Sequence, residues 1–163
     1  MSPAIRPTTR PATLADLPEV TAIQHAAIEA IRPDPYADAE LAAWRSIPPD
    51  DLVALIASGR YRVAEEGGRL LGGAGWDEGA DGGSATVRLV FVHPAAHGLG
   101  IGAALIAAIE REVTARGAVR LFVPAALNAI GFYERLGYRR LERRAIPVGP
   151  VMLPYQQMFK DAA

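Results

Sequence analysis

Between Val90 and Leu105 the chain reads VFVHPAAHGLGIGAAL, a β-branched run, two histidines around a proline, and glycines at 98, 100 and 102 leading into an apolar helix. Glycine has no Cβ, so backbone there can approach a ligand closely. The first N–H groups of the following helix have no intrahelical partner and carry the positive end of its dipole. Gly98, Leu99, Gly100, Ile101 and Gly102 can therefore cradle a diphosphate with main-chain donors alone. A plain glycine-rich connection into a close-packed helix remains the alternative on these residues. Other phosphate patterns fit less well. A dinucleotide fold wants an acidic residue about 20 positions on, at the end of the next strand. Here that strand ends Phe122-Val123-Pro124, and no Gly-Lys-Ser/Thr occurs anywhere. His93 and His97 are spaced like a zinc pair, but HPAAH lacks the glutamate of HExxH and the third histidine is His25. No metal is expected.

A second segment, NAIGFYERLGYR over 128–139, has the look of an amphipathic helix stopped by Gly137. On spacing alone Phe132, Tyr133 and Leu136 are core residues.

Together these segments resemble the GNAT superfamily of N-acetyltransferases. VFVHPAAHGLGIGAAL is similar to the family's cofactor motif, a strand ending in V-H-P followed by Arg/Gln-x-x-Gly-x-Gly/Ala and a helix. NAIGFYERLGYR is similar to the later motif, an asparagine before a Phe-Tyr pair and a Leu-Gly-Tyr/Phe stop. RPATLADLPEV looks like the family's first strand and helix, so the likeness runs along nearly the whole chain in order. It implies backbone bonds from Val90, Phe91 and Val92 to the pantetheine arm of acetyl-CoA and a diphosphate loop at Gly98–Gly102. It also implies a cofactor contact from Asn128 and a place for Tyr133 beside the cofactor sulfur. His97 departs from the pattern, standing where the family has arginine or glutamine.

The activity so implied is direct transfer of acetyl from acetyl-CoA to an amine acceptor through a tetrahedral intermediate. No acyl-enzyme is needed, which suits a chain with no cysteine and no Gly-x-Ser-x-Gly elbow. Tyr133 would stabilise the departing thiolate by a hydrogen bond, since full proton transfer from a phenol of pKa ~10 to a thiolate of ~8.5 is uphill by roughly 2 kcal/mol. The amine must be neutral, and a lysine-like amine is only about one part in a thousand neutral at pH 7. Some base or water chain is therefore expected. Glu29, Glu65, Asp77, Glu78 and His93 are each read as solvated surface residues, and none is assigned that role. A catalytically silent acyl-CoA-binding regulatory module on the same fold is the competing reading. An unrelated nucleotide-binding domain is a third.

The elements that must position these residues follow from periodicity. Ile5–Arg10 reads as an edge strand interrupted by Pro7. Thr13 and Asp16 form a capping-box pattern before a helix with Leu17, Val20, Ala27 and Ile31 on one stripe, running to Pro33. Short helices are expected from Asp38 to Trp44 and from Asp50 to Gly59. A hairpin follows, 61–64 and 70–76 around Glu66-Gly67-Gly68, and then a strand at 86–92. The helix 100–116 should bury Ile101, Leu105, Ile109 and Val113. Val119–Val123 is expected to be a short buried strand, 128–136 a helix, and 138–146 and 151–159 the last strands. This order implies an α/β mixed sheet with helices on both faces. The resemblance refines it to about six or seven mostly antiparallel strands with a splayed central pair.

Composition closes off other classes. The chain of 163 residues is expected to be a single domain, half hydrophobic and 21% charged. A net charge of −1 gives no electrostatic reason for a nucleic-acid or membrane partner. No apolar run reaches the roughly 20 residues of a membrane span. A cytoplasmic location is the default expectation; a homodimer stays open, and the acceptor is not legible.

Overall fold

The computed structural model describes residues 7–31 and 35–162. Seven strands form one sheet: β1 Thr8–Pro11, β2 Tyr61–Glu66, β3 Arg69–Glu78, β4 Ser84–Val92, β5 Arg120–Ala125, β6 Arg139–Val148 and β7 Val151–Asp161. Their order across the sheet is β1-β2-β3-β4-β5-β7-β6. All neighbours are antiparallel except β4 and β5. The helices are α1 Leu17–Glu29, α2 Asp38–Arg45, α3 Asp50–Ala57, α4 Ile101–Ala115 and α5 Ile130–Arg135.

Two apolar clusters occupy the two faces of the sheet. On one face α4 supplies Ile101, Leu105, Ile106, Ile109 and Val113, and α5 supplies Ile130 and Tyr133. On the other, α1 buries Val20, Ile23 and Ile28, and α3 buries Leu52, Leu55 and Ile56. Helices on both faces and a mostly antiparallel seven-stranded sheet match the architecture expected.

Local chemistry explains several boundaries. The Asp16 carboxylate accepts the Thr13 N–H at 2.8 Å, giving the capping contact read from the sequence, although a 3-10 turn over Leu14–Asp16 precedes α1. Gly59 and Gly137 adopt φ of 75° and 96°, the left-handed conformation that ends a helix without Cβ strain. β1 begins at Thr8, just past Pro7, and lies at the sheet edge. Ile5, Arg6 and Pro33 fall outside the described residues.

Three expectations need correction. α1 ends at Glu29, and its buried stripe is Val20, Ile23 and Ile28 rather than one reaching Ile31. Val119 lies before β5 and is 67% exposed: it is apolar by type, but its backbone joins the loop at Gly83. The segment 128–136 is not one helix. A 3-10 turn over Leu127–Ala129 precedes α5, which then runs only to Arg135.

Candidate active site at the β4–β5 splay

β4 and β5 pair only at Ser84↔Arg120, Ala85↔Leu121 and Thr86↔Phe122. Beyond Thr86 the strands part, and β4 has no ladder partner on its β5 side for the rest of its length. Main-chain donors and acceptors on that side must find something else to bond. Val90, Phe91 and Val92 lie on this unzipped stretch, where the sequence reading put them.

The opposite edge of β4 carries a bulge. Gly73 pairs with Phe91 and Gly75 with Arg88, so two residues of β4, Leu89 and Val90, face the single Ala74. The bulge reverses the strand's in–out alternation. Ala85 and Val87 pack on the α4 side, and so do Val90 and Val92 rather than the residues the parity would give. Leu89 and Phe91 turn to the α1–α3 side. Leu89 has φ 54°, unique among described non-glycine residues, a conformation that costs about 1–3 kcal/mol.

What supports that conformation is a buried tyrosine. Tyr61 on β2 is fully buried and its hydroxyl donates to the Leu89 carbonyl at 2.9 Å. Its ring crosses β3 where that strand has no side chains. A Cβ on Gly73 would lie 2.6 Å from the ring, and one on Gly75 2.8 Å. Gln24 of α1 faces the same hydroxyl, and its buried Nε2 makes no bond of good geometry. Burial pushes the Tyr61 phenol well above its ordinary pKa, so it stays a neutral donor. The sequence reading passed over Tyr61, Gly73 and Gly75. The glycine-rich strand LLGGAGW was the available signal, since glycine inside a strand marks a bulge or a close approach.

At the end of β4 the chain turns through a 3-10 segment, Pro94–Ala96, and enters the glycine loop. His93 Nδ1 accepts the Ala95 N–H at 3.0 Å, and His97 Nε2 lies 3.0 Å from the Val92 carbonyl. A carbonyl only accepts, so Nε2 carries the proton there and His97 ties the loop back to its strand. Gly98 and Gly100 have φ of 78° and 80°, with open space where a Cβ would stand. Gly100 is the N-cap of α4 and leaves that helix's first N–H groups facing outward. Leu99 is exposed and Ile101 is core. Gly102 has a packing reason of its own, since a Cβ there would meet the Phe132 ring at 3.0 Å. On the far side of the loop a pocket of about 220 Å³ brings Arg69 beside Leu99 and His93.

Tyr133 packs in the apolar cluster on the α4 face of the sheet. It is 4% exposed, its ring packs edge-on against Phe132 and Tyr138 at 5.0 and 5.7 Å, and its hydroxyl bonds no described residue. Burial raises its pKa above the phenol value. α5 is held by the Tyr138 hydroxyl, which donates to Glu110 of α4 at 3.0 Å, and by Lys160, which donates to the Leu136 carbonyl at 2.8 Å. Asn128 is exposed in the turn before α5. Next to it the Leu127 N–H donates to the Tyr36 hydroxyl at 3.0 Å, and Tyr36 donates to the Pro154 carbonyl at 2.9 Å. The four carboxylates weighed as bases from the sequence are ion-paired: Glu29 with Arg45, Glu65 with Arg10, Asp77 with Arg88, and Glu78 with Arg60. Among the described residues no cluster of three or more His, Asp or Glu could hold a metal, and no helix is long and apolar enough to cross a membrane.

A strand splay, a bulge and a glycine loop capping a helix form one continuous track. Residues 57–140, just over half the chain, match the family model for the acetyltransferase (GNAT) domain. The chain belongs to the GNAT acetyltransferase family. The fold agrees across its full length with a GCN5-related N-acetyltransferase from Rhodopseudomonas palustris, at 29% identity, 99% coverage of both chains and a TM-score of 0.84. The GNAT fold is also shared with PaiA N-acetyltransferase from Thermoplasma acidophilum in complex with coenzyme A (15% identity, 96% of this chain and 99% of that one, TM-score 0.76). A third likeness is to the ribosomal-protein-S18-alanine N-acetyltransferase of Escherichia coli (20% identity, 97% and 95%, TM-score 0.68). No curated protein matches the sequence. Within this GNAT frame the glycine loop precedes α4 and the splay falls on β4, as expected, and the Tyr61–Leu89 contact lies outside both sequence motifs.

Proposed function

We propose that this chain is an N-acetyltransferase that moves acetyl from acetyl-CoA directly to an amine. The observation that carries the proposal is the open edge of β4 beyond Thr86, continuous with the outward N–H groups of the Gly98–Gly102 loop. In that reading the diphosphate rests on the loop and the α4 N-terminus, and the pantetheine arm bonds the free groups of Val90–Val92. Asn128 contacts the arm from the opposite wall. His97 holds the loop in shape through Val92.

The amine attacks the thioester carbonyl, a C–N bond forms, and collapse breaks the C–S bond to release CoA as thiolate. In this reading Tyr133 is the donor to that sulfur. Its raised pKa makes complete proton donation still less favourable than for an ordinary phenol, which favours hydrogen-bond stabilisation with the sulfur taking its proton late. A water chain is the proposed route for the amine proton, with no side chain assigned as base.

A panel of amines screened with acetyl-CoA, following free CoA, tests the activity; the expected result is amine-dependent release. Acetyl-CoA should also raise Tm by linkage, a ligand at a hundred times its Kd contributing about 2.7 kcal/mol. Gly100→Asp places a carboxylate at the loop and should remove that shift. Equal stabilisation of wild type and a folded Gly100→Asp variant would overturn the loop assignment.

A further inference from the structure

Building on the acetyltransferase reading, we propose that Tyr61 is a positioning residue for acyl transfer. Its hydroxyl, reaching Leu89 over the bare backbone of Gly73 and Gly75, holds the β4 bulge so that its main-chain N–H groups face the thioester carbonyl.

Three observations make this more than core filling. A phenylalanine would occupy the notch above Gly73 and Gly75 as well as tyrosine does, so packing alone does not call for the hydroxyl. The hydroxyl's partner is not an arbitrary carbonyl but that of Leu89, which alone among described non-glycine residues has a positive φ. And the bulge sits beyond Thr86, where β5 has already left and β3 pairing is broken, so neither neighbouring strand fixes its orientation. Remove the hydroxyl and the Leu89 carbonyl loses its bond while the left-handed strain remains. Both effects drive the bulge to relax. Carbonyl polarisation depends on donors held in place before reaction, and a tilted N–H loses much of its effect.

The test compares acetyl-CoA with CoA, which lacks the thioester carbonyl. Tyr61→Phe is expected to weaken acetyl-CoA binding about 3- to 10-fold more than CoA binding by titration calorimetry, and to lower kcat roughly 10- to 100-fold. A structural role would instead shift both ligands equally and follow Tm. Repeating the substitution in a Leu89→Gly background adds a second readout. Glycine holds a positive φ without strain, so the kcat lost on removing the hydroxyl should there be at least about three times smaller. If Tyr61→Phe alone is too unstable to assay, the double variant stands against Leu89→Gly by itself, and a loss above about 40-fold between those two overturns the proposal. An unchanged acetyl-CoA to CoA preference in a folded Tyr61→Phe protein overturns it as well. Wild-type protein that binds neither ligand would instead sink the acetyltransferase reading, which keeps the two failures apart.

Discussion

The two flanks of the sheet meet β4 in opposite ways. On one flank β3 runs beside it from Ser84's neighbour to Val92, interrupted once by the bulge. On the other, β5 pairs for three residues and then departs. Each face of the sheet also buries a tyrosine. Tyr61, on the zipped side, has a hydroxyl already committed to Leu89. Tyr133, on the open side, has a hydroxyl with no partner among the described residues. On the proposed reading the two phenols do different work: one maintains geometry at all times, and the other serves the substrate.

The sharpest way to break this contrast is to remove the uncommitted hydroxyl. Tyr133→Phe keeps the edge-on packing with Phe132 and Tyr138. It should leave Tm and CoA affinity nearly unchanged while lowering kcat roughly 10- to 1,000-fold. Steady-state kinetics with pre-steady-state bursts to exclude slow product release would measure it. A wild-type chemical step would return Tyr133 to the core.

On the zipped flank the corresponding experiment reads stability. Gly73→Ala puts a methyl 2.6 Å from the Tyr61 ring, closer than any normal carbon contact. The ring cannot swing aside without abandoning Leu89, so the variant should lose about 1–3 kcal/mol by overpacking. Chemical denaturation gives the number. A neutral result would mean that the lane over β3 is wider than the present contacts require.

Much of this arrangement was legible in the residues. Runs of β-branched residues and glycine or proline punctuation gave the order of elements, and VFVHPAAHGLGIGAAL and NAIGFYERLGYR located the two walls of the cleft. The parts that were missed share a physical cause. The bulge depends on Tyr61 crossing β3, a contact of residues 28 apart that no local pattern encodes. Val119 was misjudged because apolar type stands in for burial only when the backbone continues the strand. The turn before α5 escaped notice because Leu127 is fixed from Tyr36, 91 residues away, rather than by its neighbours. The roles of the glycines also divide: Gly98 and Gly100 are open to solvent, while Gly102 makes room for Phe132. Spacing alone treats the three alike.

The smallest expected effect lies at the outer edge of the zipped flank. Arg10 of β1 donates to Asp16 at 2.8 and 2.9 Å and to Glu65 of β2 at 3.1 Å, pinning the edge strand and the start of α1. The guanidinium holds the Asp16 carboxyl at about 2, below its ordinary 3.8, with the Thr13 N–H helping and burial opposing. Taken at face value that shift is worth about 2 kcal/mol. Solvent around the partly exposed Arg10 screens it to about 1 kcal/mol. The sign follows from the lowered folded-state pKa. The unfolded chain takes up the proton first, so the contribution is complete above pH 3.8 and fades as pH falls toward 2. Asp16→Asn should therefore cost about 1 kcal/mol at pH 7, and the gap from wild type should narrow across that acid window. Urea titrations at neutral and acid pH would follow it, and a pH-independent gap would assign the loss to the Thr13 cap rather than to charge. Activity should not change in either case, because this ion pair braces a flank of the sheet that is already fully paired and lies away from the β4–β5 splay.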